Sequence, residues 1–207
     1  MLIIGLTGSI ASGKSTIAKC LARHQIAIFD ADKFVHELLG PKGKAVPFIL
    51  SEFEDVGSYD EGIDRQALGS VIFAAPERRF VLERITHPLV AEGRARFIRV
   101  MRANYKKAIC LDVPLLFENK IDTECDMTMI SAAPFHMRRQ RALARPGMSE
   151  EKFTQIVKAQ MPQAEKAARA DIVISTALGH YHMTKQIHQL LSSLKLKTDY
   201  SQKAHYV

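Results

Sequence analysis

The sequence predicts an α/β fold: a parallel sheet of about five strands flanked by helices, with an inserted helical domain and a helical lid. Three observations predict it. Short, near-continuous apolar runs alternate with helical segments, as strands buried on both faces of a parallel sheet do. A glycine-containing turn, Gly8-Ser9-Ile10-Ala11-Ser12-Gly13-Lys14-Ser15-Thr16, lies between the first apolar run and a helical segment. Between the second and third runs lie residues 33–107, far more than the dozen or so that a minimal crossover needs.

The first run, Leu2-Ile3-Ile4-Gly5-Leu6, stops at Thr7-Gly8, and residues 14–23 then place Ile17, Ala18, Leu21 and Ala22 at helical spacing. Residues 26–29 read as a second buried strand, ended by Asp30-Ala31-Asp32. The long insertion carries helical patterns at 34–39, 65–74, 76–84 and 89–105, broken by Gly40-Pro41, Pro47, Gly57 and Gly62. Its expected place is over the carboxyl edge of the sheet, where open α/β folds bind ligands. Further strands are expected at 108–113, 127–130 and 171–174. Residues 136–168 form a polar helical segment with few large apolar residues, and a mobile lid is its simplest use. The expected division is a nucleotide-binding core (1–32, 108–135 and 169–207), an acceptor domain (33–107) and a lid (136–168), with a loosely ordered tail from Lys195.

With 47% hydrophobic and 25% charged residues among 207, the chain can bury a core of its own. Its three cysteines, Cys20, Cys110 and Cys125, are odd in number and far apart, which suggests buried thiols in a reducing compartment rather than a disulfide frame or a zinc site. No apolar run approaches the roughly 18 residues that span a bilayer, so the expected setting is the cytoplasm, without a membrane. The net charge of +7 fits nucleic acid, a membrane surface or a small phosphorylated ligand. Basic residues gather at Arg94, Arg96, Arg99, Arg102, Lys106 and Lys107, and again at Arg138, Arg139, Arg141 and Arg145. No aromatic residues alternate with the second cluster, as a single-strand stacking platform would want.

The spacing G-x-x-x-x-G-K-S from Gly8 to Ser15, set between strand and helix, turns backbone amides toward anionic oxygens and adds the positive end of the helix dipole. Gly8, Ala11, Ser12 and Gly13 shape that cradle. Lys14 reaches the β- and γ-phosphates of a nucleoside triphosphate, Ser15 holds magnesium, and Thr16 bonds the α-phosphate. Asp32, at the end of the second strand, either accepts a proton from an attacking hydroxyl or caps a helix starting near Lys33. Asp112 either backs the magnesium site or ends a strand. Arg141 and Arg145 lie four apart on one helix face and so can reach a common ligand, whereas Arg138 and Arg139 need do no more than keep the lid soluble. His87, before Pro88, bonds a substrate phosphate or caps a helix.

These residues, with IDRQAL at 63–68, LERITHP at 82–88, DVPLLFE at 112–118, RALARPGMS at 141–149, Gln160 and ADIVI at 170–174, resemble dephospho-coenzyme A kinase along nearly the whole chain. The resemblance implies transfer of a phosphoryl group from ATP to the ribose 3′-hydroxyl of dephospho-coenzyme A, the last step of coenzyme A synthesis. It also implies magnesium as cofactor and these two small molecules, not nucleic acid or membrane, as partners. By position it makes Lys14, Asp32 and Arg141 catalytic and lines the acceptor side with Arg65, His87, Leu115, Leu116 and Glu118; Arg145, from the helix face it shares with Arg141, is expected on ATP too. Family members usually have glycines where this chain has Ser9 and Ala11, so those positions are expected to adopt conformations open to residues with side chains. A glutamine common three residues before the lid arginine is here Arg138. The asparagine-glycine element that follows the last strand, near the adenine, is replaced by Ser175-Thr176-Ala177-Leu178-Gly179, where Thr176 is the expected adenine contact of ATP. The rival readings are another small-molecule kinase and a nucleic-acid-binding NTPase; steep salt dependence would mark the second.

Overall fold

The computed structural model describes residues 1–75 and 77–196. The chain opens with β1 (Leu2–Gly8), α1 (Lys14–Arg23), β2 (Ala27–Asp30), α2 (Ala31–Leu39) and α3 (Val46–Leu50). It continues through β3 (Gly57–Ser58), β4 (Gly62–Ile63), α4 (Arg65–Ala74), α5 (Arg78–Ala103) and β5 (Ala108–Asp112). After a 3-10 turn at Ile121–Glu124 come β6 (Met127–Ala132), α6 (Phe135–Leu143), α7 (Glu150–Ala159), α8 (Gln163–Arg169), β7 (Ile172–Ser175) and α9 (Gly179–Ser193). Two compact units result: Met1–Ile28 with Asn104–Val207, and Phe29–Ala103. Most of the tail expected to be loosely ordered, residues 197–207, lies outside the described residues.

The first unit is built on a five-stranded sheet in the order β2-β5-β1-β6-β7. β1 pairs in parallel with β5 on one side and β6 on the other, and β6 pairs in parallel with β7. Successive strands thus fall on opposite sides of β1, which makes its carboxyl end the point where an open α/β sheet offers a crevice. Ile4 and Leu6 of β1, Ile17 and Leu21 of α1, and Met183, Ile187 and Leu191 of α9 form the core on one face. Cys20 and Cys110 are buried free thiols. The β6–β7 pair is clamped at its start by Asp171, whose Oδ2 accepts both Thr128 N–H and Thr128 Oγ–H at 2.7 Å.

The polar segment expected as a lid forms three separate helices, α6, α7 and α8. α6 stops before Pro146, because the residue preceding a proline is pushed out of the helical region. Ser149 then restarts the helix by accepting Lys152 N–H at 3.3 Å. Arg138 is corrected from a solubilising residue to a buried one, 7% exposed, with its guanidinium 5.5 Å from the Phe135 ring centroid. Burial pushes this guanidinium below its ordinary range. Arg139 does lie at the surface, paired with Glu150.

In the second unit, Leu38, Val46, Ile49, Phe53, Ile63 and Leu68 pack with the inward stripe Leu82, Ile85 and Leu89 of α5. Three expectations change here. Asp30, not Asp32, caps α2, accepting Lys33 N–H at 2.9 Å. The breaker residues Gly57 and Gly62 sit in a two-stranded hairpin, and Pro47 opens the short helix α3. The expected helices at 76–84 and 89–105 are one 26-residue helix that continues through Pro88. An internal proline costs roughly 3 kcal/mol, but Arg84 and Pro88 are exposed, so water can solvate the carbonyl that loses its donor. The apolar stripe on both sides of the proline holds the two halves in line.

Two predictions follow from this packing. A Cβ at Gly93 would overlap the Phe34 ring, which lies against Phe29 at a centroid distance of 5.3 Å. Gly93→Ala gains about 1 kcal/mol of helix propensity yet should destabilise the protein by a net ~1–2 kcal/mol through overpacking; urea unfolding measures it. The Thr128 side-chain and backbone bonds hold the Asp171 carboxyl below its ordinary range. A depressed folded-state value means the stabilisation is full above the unfolded value and fades as pH falls through the folded one. Asp171→Ala should therefore lower the melting temperature near neutrality and lessen its further fall below about pH 4, read from melting curves across pH.

Candidate active site

The turn between β1 and α1 owes its shape to Gly13, which holds φ 94° and ends directly against Thr176, whose side-chain atoms lie about 3 Å from where a Cβ would sit. A left-handed residue here lets α1 begin at Lys14, which sets the positive end of the helix dipole at the loop, where it favours an anion. Gly8 is the last residue of β1, and Ser15 and Thr16 are exposed in the first turn of α1. The outer side of the loop is tied down by side chains. Ser12 Oγ lies 2.5 Å from Ser131 Oγ, which donates to Thr7 O at 3.3 Å. Gln160 Oε1 accepts Ile10 N–H at 2.9 Å, and Thr176 Oγ donates to Ser12 O at 2.6 Å. Ala11 adopts φ 57°, a left-handed conformation that costs a residue with a side chain about 1–2 kcal/mol. Its methyl is buried in a cluster with Ala142 of α6 and Phe153 of α7.

Lys14 Nζ donates to Asp112 Oδ1 at 2.5 Å. Asp112 is 2% exposed at the carboxyl end of β5, which turns the expected alternatives for this residue into a definite contact: it steadies the loop lysine. The following loop is fixed at Pro114, whose carbonyl accepts Thr7 Oγ–H at 2.9 Å and Lys166 Nζ–H at 2.8 Å. Lys166 is fully buried and also pairs with Glu118 Oε1 at 2.8 Å. The same oxygen accepts Met161 N–H at 2.9 Å. Burial raises the Glu118 carboxyl, but the Lys166 and Met161 bonds outweigh it and hold the group below its ordinary range. Burial in turn lowers the Lys166 ammonium, against the pull of Glu118.

The expected acceptor residues of this loop therefore separate. Leu115 is half-buried, whereas Leu116 is fully buried beside Gly5 and is a core residue rather than a lining one. In α6, Arg141 donates from one terminal nitrogen to Thr176 Oγ at 3.2 Å and from the other to Thr176 O at 2.9 Å. Arg145 does not share a helix face with it, since α6 ends at Leu143 and Arg145 stands exposed beyond the cap. In the second unit Asp32 is exposed in the first turn of α2, Arg65 is exposed at the start of α4 behind the Asp64 cap, and His87 is exposed within α5 and caps nothing.

Several groups in the site were not assigned a role from the sequence. Lys166 lies among alanines in a segment without apolar periodicity, so nothing local distinguishes it from a solvated lysine. Thr7 reads only as the end of the first apolar run, and Ser131 falls just beyond the strand expected at 127–130. Gln160 stood out only through the resemblance, and its bond to Ile10 N–H supplies a role.

The family model for dephospho-CoA kinase (CoaE) matches residues 2–179. A dephospho-CoA kinase of Rhodospirillum rubrum is 45% identical over 178 residues, covering 86% of this chain and 84% of that protein. That of Novosphingobium aromaticivorans is 40% identical over 195 residues, covering 94% and 96%. Among solved structures, TT1252 from Thermus thermophilus superposes with a TM-score of 0.77 at 31% identity, covering 93% of this chain and 97% of that one. A dephospho-CoA kinase from Campylobacter jejuni shares the fold, with a TM-score of 0.70 at 23% identity over 93% and 96% of the two chains. The phosphate loop, the Pro114–Glu118 loop and the helices α6, α7 and α8 all fall inside the matched span, and the chain belongs to the dephospho-CoA kinase family.

Proposed function

We propose that this chain phosphorylates the ribose 3′-hydroxyl of dephospho-CoA with ATP through the residues described above. The observation that carries the reading is a phosphate loop whose lysine and lid arginine are both already held at its rim, by Asp112 and Thr176, in a chain of this family. In the reaction the 3′-oxygen forms a bond to the γ-phosphorus, the bond from that phosphorus to the β–γ bridging oxygen breaks, and ADP leaves. Asp32 takes the hydroxyl proton or orients the hydroxyl for attack. Lys14 moves its ammonium from Asp112 to the β- and γ-phosphate oxygens. Arg141 stabilises the charge spread over the transferring group, and the lid around it excludes water.

Gly8, Ala11, Ser12, Gly13 and Thr16 line the triphosphate, and Arg145, exposed past α6, meets ATP from outside. Arg65, His87 and Leu115 face the acceptor, while Glu118 shapes the acceptor loop through Lys166. A magnesium ion brought with ATP would supply neutralisation of the polyphosphate charge. Such a hard cation keeps several waters and takes one or two protein oxygens, and the exposed Ser15 hydroxyl at the start of α1 suits that donor set. Among the described residues no helix is long and apolar enough to cross a membrane. The buried free thiols and the need for ATP fit a cytoplasmic setting. The stripe suspected of binding nucleic acid is interrupted, because Arg94 is 8% exposed.

ADP release with magnesium-ATP should be stimulated by dephospho-CoA and not by adenosine, AMP, CMP, shikimate or single-stranded DNA; stimulation by one of the others instead would reassign the acceptor. Asp32→Asn should lower turnover by about two orders of magnitude or more, the scale of general base catalysis, with ATP affinity nearly intact by calorimetry. Unchanged turnover would remove Asp32 from the chemistry.

A further inference from the structure

We propose that Thr176 is a positioning residue for phosphoryl transfer: its hydroxyl and its carbonyl together hold the Arg141 guanidinium in one plane against the phosphate loop, so that the lid arginine meets ATP already oriented. The proposal rests on the reading of this site as a phosphoryl-transfer site.

A threonine hydroxyl has one proton and two lone pairs. Its proton is assigned by distance: Ser12 O lies 2.6 Å from Thr176 Oγ, against 3.4 Å for Ala132 O. The oxygen is then left to accept, and Arg141 fills that place at 3.2 Å while its other terminal nitrogen reaches the Thr176 carbonyl at 2.9 Å. Two anchors on one residue fix both the rotation and the tilt of the guanidinium. A guanidinium has five N–H donors, so this grip still leaves three for a ligand. Thr176 is itself well fixed, 7% exposed, with its N–H donated to Ala132 O at 2.9 Å and its side chain pressed on Gly13. One hydroxyl thus joins the phosphate loop, the end of β7 and the lid. A side chain whose polar atoms are engaged in this way is poorly placed to read a nucleotide base, the role that sequence position had suggested.

The test uses the full chain as wild type, Thr176→Val, Thr176→Ser, Arg141→Ala and the Thr176→Val/Arg141→Ala double variant. Valine keeps the shape and deletes the hydroxyl; serine keeps the hydroxyl. In steady-state kinetics with ATP and dephospho-CoA, Thr176→Val should lower kcat by about tenfold or more with both KM values within about threefold, the pattern of a lost transition-state interaction. Thr176→Ser should restore kcat to within about threefold of wild type. In the Arg141→Ala background, Thr176→Val should change kcat by less than about twofold, because residues acting as one unit are not additive. A raised KM for ATP at unchanged kcat would overturn the proposal in favour of a base contact. Equal losses in the valine and serine variants, or multiplicative effects of the two exchanges, would overturn it as well.

A melting cycle on the same proteins without ligand is independent of turnover: the Thr176→Val and Arg141→Ala shifts should be non-additive, and additive shifts would show that Thr176 does not hold Arg141. Should wild type fail to turn over dephospho-CoA, the functional reading falls and the melting cycle still decides whether the grip exists.

Discussion

A phosphate loop can turn its inner amides toward a polyanion only if its outward polar groups are satisfied by something else, and this requirement organises the first unit. Ser12 is held twice, by Ser131 at its hydroxyl and by Thr176 at its carbonyl, and the Ile10 amide is held by Gln160. The groups that do this come from β6, from the end of β7 and from the end of α7. They meet at one place because β1 lies inside the sheet with β5 and β6 on either side, so the carboxyl ends of the strands converge around its last residue. Sheet order is thus the condition for the loop's conformation, and the loop's conformation is the condition for binding.

α8 is tied to the same spot by a line of polar contacts around one buried ammonium. Lys166 bridges Glu118 and the Pro114 carbonyl, which also receives the Thr7 hydroxyl from β1. Withdrawing an ammonium from water is unfavourable unless its hydrogen bonds are made, and breaking such a pair on one side strands the other charge. Fixed attachment of α8 sets it apart from Arg145, which stands exposed on the segment leading from α6 to α7.

The five strands of the parallel sheet, the phosphate loop and the long insertion were legible in the sequence because each is written locally, in apolar runs, in glycine spacing and in chain length. The continuous α5 was not, because a proline is a local signal for a break while the packing of Leu82, Ile85 and Leu89 that overrides it is tertiary. Lys14, Arg141 and Thr176 could be named from motif position, but not the partners that hold them: Asp112 follows Lys14 by 98 positions and Thr176 follows Arg141 by 35. Leu116 and Arg138 were misread for a related reason. Residue type gives a prior for exposure, and the fold decides it.

Ala11 joins two opposing effects in one methyl group: backbone strain in the loop and burial against Ala142 and Phe153. A glycine at this place would relax the backbone and at the same time open a void against α6 and α7. The sign of that exchange is consequently set by residues more than a hundred positions away. A lineage passing between alanine and glycine here would have to adjust the volume at 142 or 153 in step, so that substitutions in the phosphate loop and in α6 or α7 are accepted as pairs rather than one at a time.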